Sequence, residues 1–146
     1  MKRAILIGGV VVYACIAVYA IVAMKKDVQE MAAEADHILV GTVDSVEMVD
    51  REGRPRDRGE TGLTHDEVIR LRVTPLRVLK GGDAVPETLV LPLWRGWKHS
   101  LGKTTRTMED NDFVFFLRGP GFDPLYLGEF YVPDDEREAV EGMLRQ

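Results

Sequence analysis

From Ala4 to Met24 the chain is apolar without a break, AILIGGVVVYACIAVYAIVAM, with Lys2-Arg3 before it and Lys25-Lys26 after it. A helix rising 1.5 Å per residue crosses the hydrocarbon core of a bilayer with about 20 such residues. The pattern therefore predicts one transmembrane helix. A cleaved signal peptide has a shorter apolar core, about 7–15 residues, although Ala23 does close an Ile-Val-Ala triplet. A lipoprotein signal would make Cys15 the new N-terminus. Bulky Tyr13 stands where that signal needs a small residue, and apolar sequence continues past Cys15. Length favours the uncleaved anchor. Lys2 and Arg3 balance Lys25 and Lys26 across the span. The free amino terminus adds one positive charge on the short side, so the positive-inside rule places the N-terminus in the cytoplasm and the remainder outside.

Beyond Met24 the pattern shortens. Lys25 to Asp36, KKDVQEMAAEAD, holds good helix formers and no Gly or Pro. It predicts a short helical stalk, with Val28, Met31, Ala32 and Ala35 spaced to rest on a domain. His37 to Val49 is β-branched and alternates in its second half, predicting a strand that bends at Gly41. Asp50 to Gly62 has no large apolar side chain, and its four arginines are offset by four acids. It predicts a long hairpin loop.

Thr64 to Val73 predicts a second strand, interrupted at Pro75 before Leu76 to Leu79 resumes apolar character. Glu87 to Leu93 predicts a third. Trp94 to Asn111 predicts a second polar loop. Asp112 to Arg118, DFVFFLR, is the most hydrophobic strand, and Leu125 to Val132 follows as a fifth. Asp134 to Arg145 predicts a closing helix with Asp134 as its cap and Ala139, Val140, Met143 and Leu144 on one face.

The fold class expected is mainly β: a small five-stranded OB-like Greek-key barrel with a C-terminal helix, preceded by one N-terminal transmembrane helix. The organisation expected is an anchor with its basic flanks over residues 1–26, a stalk over 27–36 and the barrel over 37–146.

Charge and cysteine content narrow the chemistry. All 24 acidic residues and 17 of the 19 basic ones follow Met24, so that part carries 17 − 24 = −7. This balance argues against a nucleic-acid partner, which needs a basic face. An OB-type nucleic-acid binder in the cytoplasm would need a basic groove in spite of it. Cys15, inside the apolar run, is the one cysteine. The remainder therefore holds no disulfide, cysteine zinc site or cysteine nucleophile.

Several stretches match a known pattern. Ala35-Asp36-His37-Ile38-Leu39-Val40-Gly41-Thr42-Val43 resembles the opening of netrin-like domains, the group that includes tissue inhibitors of metalloproteinases. Leu71-Arg72-Val73 with Val78-Leu79-Lys80-Gly81 resembles their second strand and its turn. Asn111-Asp112-Phe113-Val114-Phe115-Phe116-Leu117 resembles their later strand. The resemblance implies a scaffold of OB type over Ala35 to Leu117 and no activity. The inhibitors grip zinc with an N-terminal cysteine and are stapled by disulfides, and this chain has neither feature.

Among candidate sites, Trp94, Arg95, Trp97, Lys98 and His99, followed by Lys103 and Arg106, interleave aromatics with cations in one loop. Such a loop can stack on sugars or bases and hold anionic groups. The simpler account is one tryptophan capping the core among solvated charges. If the domain has a ligand-binding face, Trp94, Arg95, Trp97, Lys98 and His99 are its first candidates. His65, Glu67 and His99 are the residues a metal-dependent or other enzyme would use, but no metal-ligand spacing is met. Glu109-Asp110-Asn111-Asp112 lacks the alternation of a calcium loop and predicts a turn. Ser45 and Ser100 lack a nucleophile-elbow context, and no phosphate or dinucleotide glycine loop occurs. No cofactor is expected. The sequence thus predicts a single-pass, extracytoplasmic binding or interaction module without catalysis, whose partners are the membrane through Ala4–Met24 and a protein or envelope component.

Overall fold

A computed structural model describes residues 27–55, 68–81, 84–95 and 101–146. The predicted anchor Ala4–Met24 lies outside them, and among the described residues no helix is long and apolar enough to cross a membrane. Helix α1 (Val28–Glu34) leads into strands β1 (His37–Val49), β2 (Val68–Lys80) and β3 (Leu89–Arg95). Helix α2 (Leu101–Met108) follows, then β4 (Asp112–Arg118), β5 (Asp123–Pro124) and β6 (Tyr131–Pro133). A 3-10 turn (Asp134–Glu136) runs into the last helix, α3 (Arg137–Leu144). Every strand pairing is antiparallel.

The strand order is β3-β2-β1-β4-β5, with β6 also on β4. Among the described residues this is an open six-stranded sheet, where the sequence predicts a closed barrel of five. The predicted fifth strand, Leu125–Val132, is strand only at Tyr131 and Val132; a short strand precedes it and another closes it. Asp123–Pro124 and Tyr131–Pro133 both pair with β4, and the chain between them loops out. The loop is pinched at one residue: Phe116 N–H donates to the Phe130 carbonyl at 2.7 Å, and the Phe116 carbonyl accepts from Leu125 N–H at 3.1 Å.

Strand β2 runs on through Pro75, which stands at an edge and at a register shift, the two places where the sequence allows it. β3 pairs with β2 over Val68–Val73 alone, so the proline's missing donor costs no rung on that side. On the other side Pro75 sits opposite Gly41, at one of three register shifts between β1 and β2. Each shift adds twist and bend to the pair. Gly41 is there for closeness: a Cβ on it would stand 2.5 Å from Val73 Cγ1 and 3.1 Å from the Thr74 carbonyl.

From His37 to Val43 every residue of β1 except Thr42 is buried. Neighbours on a strand point to opposite faces, so this half of β1 is covered on both. β4 is buried from Phe113 to Leu117 in the same way. Phe115, Phe116 and Phe130 are fully buried, and Tyr131 meets Phe113 and Phe130 edge-on, with centroids 5.5 and 5.4 Å apart. Burial pushes the Tyr131 hydroxyl above its ordinary pKa.

The segment 27–36 is docked on the domain. Asp27 caps α1 by accepting from Gln29 N–H, and Met31, Ala32 and Ala35 join the core. α1 packs against α3. Lys80 Nζ donates to the Ala32 and Ala33 carbonyls at 3.0 and 3.3 Å, where a cation favours the helix C-terminus. Tyr126 hydroxyl bonds the Glu34 carboxylate. The helix cap expected at Asp134 does not form: Asp134 opens the 3-10 turn and makes no capping bond.

Candidate functional site

The register of the three-strand meander brings the two predicted loops to one end of the sheet. Val68 pairs with Val49 of β1 and with Arg95 of β3. The connection after β1 and the one after β3 therefore start side by side. Trp94 and Arg95 belong to the end of β3, with Trp94 opposite Ile69. Trp97, Lys98 and His99, and likewise His65 and Glu67, lie outside the described residues.

The predicted polar loop Trp94–Asn111 contains a helix. Leu101, Thr104 and Met108 are the buried residues of α2, which packs on β1. Their spacing of three and four is a helical signal that the polar composition of the segment masks. Lys103 and Arg106 occupy its exposed face. Among the described residues of the predicted cluster, Arg95 stands at a strand end and Lys103 and Arg106 on a helix.

The first connection opens on a built turn. Asp50 N–H donates to the Arg54 carbonyl and Gly53 N–H to the Asp50 carbonyl, both at 3.0 Å. The Asp50 carboxylate accepts from Arg54 N–H at 2.9 Å and from Arg54 Nε at 3.0 Å. Chiefly through that backbone bond, Asp50 is held below its ordinary pKa. Val49 bridges to Pro55 across the turn.

Leading up to this end, the outer face of the meander carries a charged trio. Arg70 Nε and Arg72 Nε donate to the two oxygens of Glu47, at 2.9 and 2.7 Å. Burial alone would push the Glu47 carboxyl up, but the hydrogen bonds from Arg72 and Arg70 and their charge outweigh it and hold it below its ordinary pKa. Val90, which pairs with Arg72, is exposed beside them. The β1–β2 register, which sets Glu47 opposite Arg70, joins the trio.

The acidic run Glu109–Asp112 is a turn stitched to β1. Glu109 carboxylate accepts from Val46 N–H at 3.1 Å, Asp110 N–H donates to the Val43 carbonyl at 2.8 Å, and Asp112 accepts from the Thr42 hydroxyl at 2.6 Å. Asp110 takes φ +62° to make the corner. Among the described residues no group of three His, Cys, Asp or Glu side chains is placed to hold a metal.

Asp36 ties the entry of β1 to the end of β4. Asp36 N–H donates to the Leu117 carbonyl, and the Asp36 carboxylate accepts from Gly119 N–H at 2.7 Å. Gly81, at φ +104°, lies so close that a Cβ would stand 2.7 Å from His37 Nδ1. The chain matches no protein-family model, and no curated protein matches it.

Proposed function

We propose that this protein is a membrane-anchored binding module without catalytic activity, held by Ala4–Met24 with its β-rich domain outside the cytoplasmic membrane. Its partner is a protein or another component of the cell envelope. One observation carries the reading. Val68 pairs with both Val49 and Arg95, so the connections that follow β1 and β3 leave from one end of the sheet, a usual placement for recognition loops. Trp94 and Arg95 close β3 at that end, and in this reading Trp97, Lys98 and His99 continue the binding surface. Tethering raises the local concentration of such a surface, so modest contacts suffice. The balance of −7 beyond Met24 supports a partner other than nucleic acid.

The scaffold in this reading is an OB-like barrel of netrin type, left open at one seam. Its supports are the order β3-β2-β1-β4, the helix α2 between β3 and β4, and the bent β1–β2 pair. The test is capture of partners from detergent-solubilised membranes with the full chain and with a Trp97→Ala/Lys98→Ala variant. Loss of partners in the variant, with an unchanged melting temperature, is the expected result. An unchanged partner set removes this loop as the recognition surface.

A further inference from the structure

Three guanidiniums converge on one carboxylate where β2 meets α3. Arg77 Nη1 lies 3.2 Å from Glu141 Oε1, and Arg145 Nη2 lies 3.4 Å from Oε2. Arg137 Nε stands 4.0 Å from Oε1, and its Nη1 is 3.6 Å from Asp134 Oδ1. Among the described groups in contact, three cations meet two carboxylates, Glu141 and Asp134, while Asp135, Glu136 and Glu138 on the same segment make no ion pair with them. The donors are in excess, because each guanidinium carries five N–H groups in a fork that matches phosphate. The Arg77 and Arg145 side chains are 60% and 76% exposed, so most of their donors face solvent. Both line a cleft whose other walls are Val78, Leu79, Leu144 and Glu141. A paired cation rim over an apolar wall suits a ligand that is anionic at one end and apolar at the other.

The position of the cleft says where such a ligand comes from. α3 packs against α1, and two residues separate Met24 from Asp27, the cap of α1. Chain that short spans about 10 Å at most, and α1 adds about 10 Å. On the anchored reading above, on which this inference rests, the cleft lies within reach of the bilayer surface. We propose that it binds the phosphate of an anionic lipid head group. Arg77 and Arg145 take the phosphate oxygens, Glu141 keeps its contact with Arg137, and Leu144 packs against the glycerol and first acyl carbons. The contact is confined to this cleft, because the net charge elsewhere opposes broad adsorption to an anionic leaflet.

The test uses the full chain in dodecyl maltoside micelles, titrated calorimetrically with dihexanoyl phosphatidylglycerol, dihexanoyl phosphatidylcholine and inorganic phosphate. Phosphatidylglycerol should bind at least tenfold more tightly than either of the others. Arg145→Gln and Arg77→Gln should each weaken it at least fivefold. Arg145 contacts Glu141 from the exposed end of α3, so its variant keeps the fold even if Arg77→Gln does not. No binding of phosphatidylglycerol, equal binding of phosphatidylcholine, or unchanged affinity in Arg145→Gln overturns the site. Inorganic phosphate matching phosphatidylglycerol overturns the lipid as its source. Alkaline carbonate extraction of native membranes separates the two readings. Release of the chain removes the anchor, whereas a retained chain that binds no head group removes the cleft alone.

Discussion

The rings of His37 and Phe122 stack with centroids 4.3 Å apart and planes tilted by 32°. His37 is the first residue of β1, and Phe122 sits in the turn after β4 at φ +53°. The imidazole Nε2 is 2.9 Å from the Gly119 carbonyl; a carbonyl can only accept, so this nitrogen carries the proton. One buried side chain thus closes the sheet where α1 enters it. His37→Ala leaves that carbonyl unsatisfied and a void against Phe122, a loss of about 2–4 kcal/mol. The midpoint of urea unfolding measures it, and an unchanged midpoint would show that the turn closes without the imidazole.

Gly41 gives a steric prediction. Gly41→Val adds three carbons where Val73 Cγ1 and the Thr74 carbonyl already touch the position. Overpacking of this kind costs about 1–3 kcal/mol. Gly53 in the exposed turn after β1 has nothing within 4 Å of an added Cβ, so Gly53→Asn, which tolerates its φ of +78°, should leave unfolding nearly unchanged.

Glu47 gives a pH prediction. Its carboxyl is held below the ordinary value by Arg72 and Arg70 against the opposing effect of burial. A depressed carboxylate contributes stability that is complete above about pH 4.3 and lost as the pH falls below it. Glu47→Gln should cost about 1 kcal/mol at pH 7, and the difference between the two proteins should shrink towards zero at pH 3. Thermal unfolding at pH 7, 5 and 3 checks this. Equal differences between the two proteins at all three values would remove the trio from the acid response.

Lys80 gives a local prediction. Lys80→Met keeps the apolar stem but removes the ammonium from the Ala32 and Ala33 carbonyls. The loss is about 0.5–1.5 kcal/mol. Hydrogen exchange should quicken at Met31 to Ala35 more than in β4. Uniform quickening would mean that α1 opens only with the whole domain.

The sequence was most legible where one face of a segment is buried or the whole segment is. Strands β1 and β4 begin and end where alternation and the DFVFF run place them. It was least legible where a partner decides. α2 hides in a polar stretch because three buried residues, Leu101, Thr104 and Met108, suffice to seat a short helix. Arg77 is 64 residues from Glu141 in sequence, and no local pattern joins them. Of the loop candidates, Trp94 and Arg95 are placed by the β3 register with β2, a relation that spacing along one strand cannot supply.

Phe116 grips the chain twice, at Leu125 and again at Phe130. The residues between form a closed circuit that departs from a single rung and returns to it, so their number does not enter the alignment of any other strand. Gly128, at φ +84° near the tip beside exposed Leu127, is accordingly a natural splice point. A reporter peptide or a longer recognition arm added there would extend the molecule's reach and leave the rest of the scaffold in register.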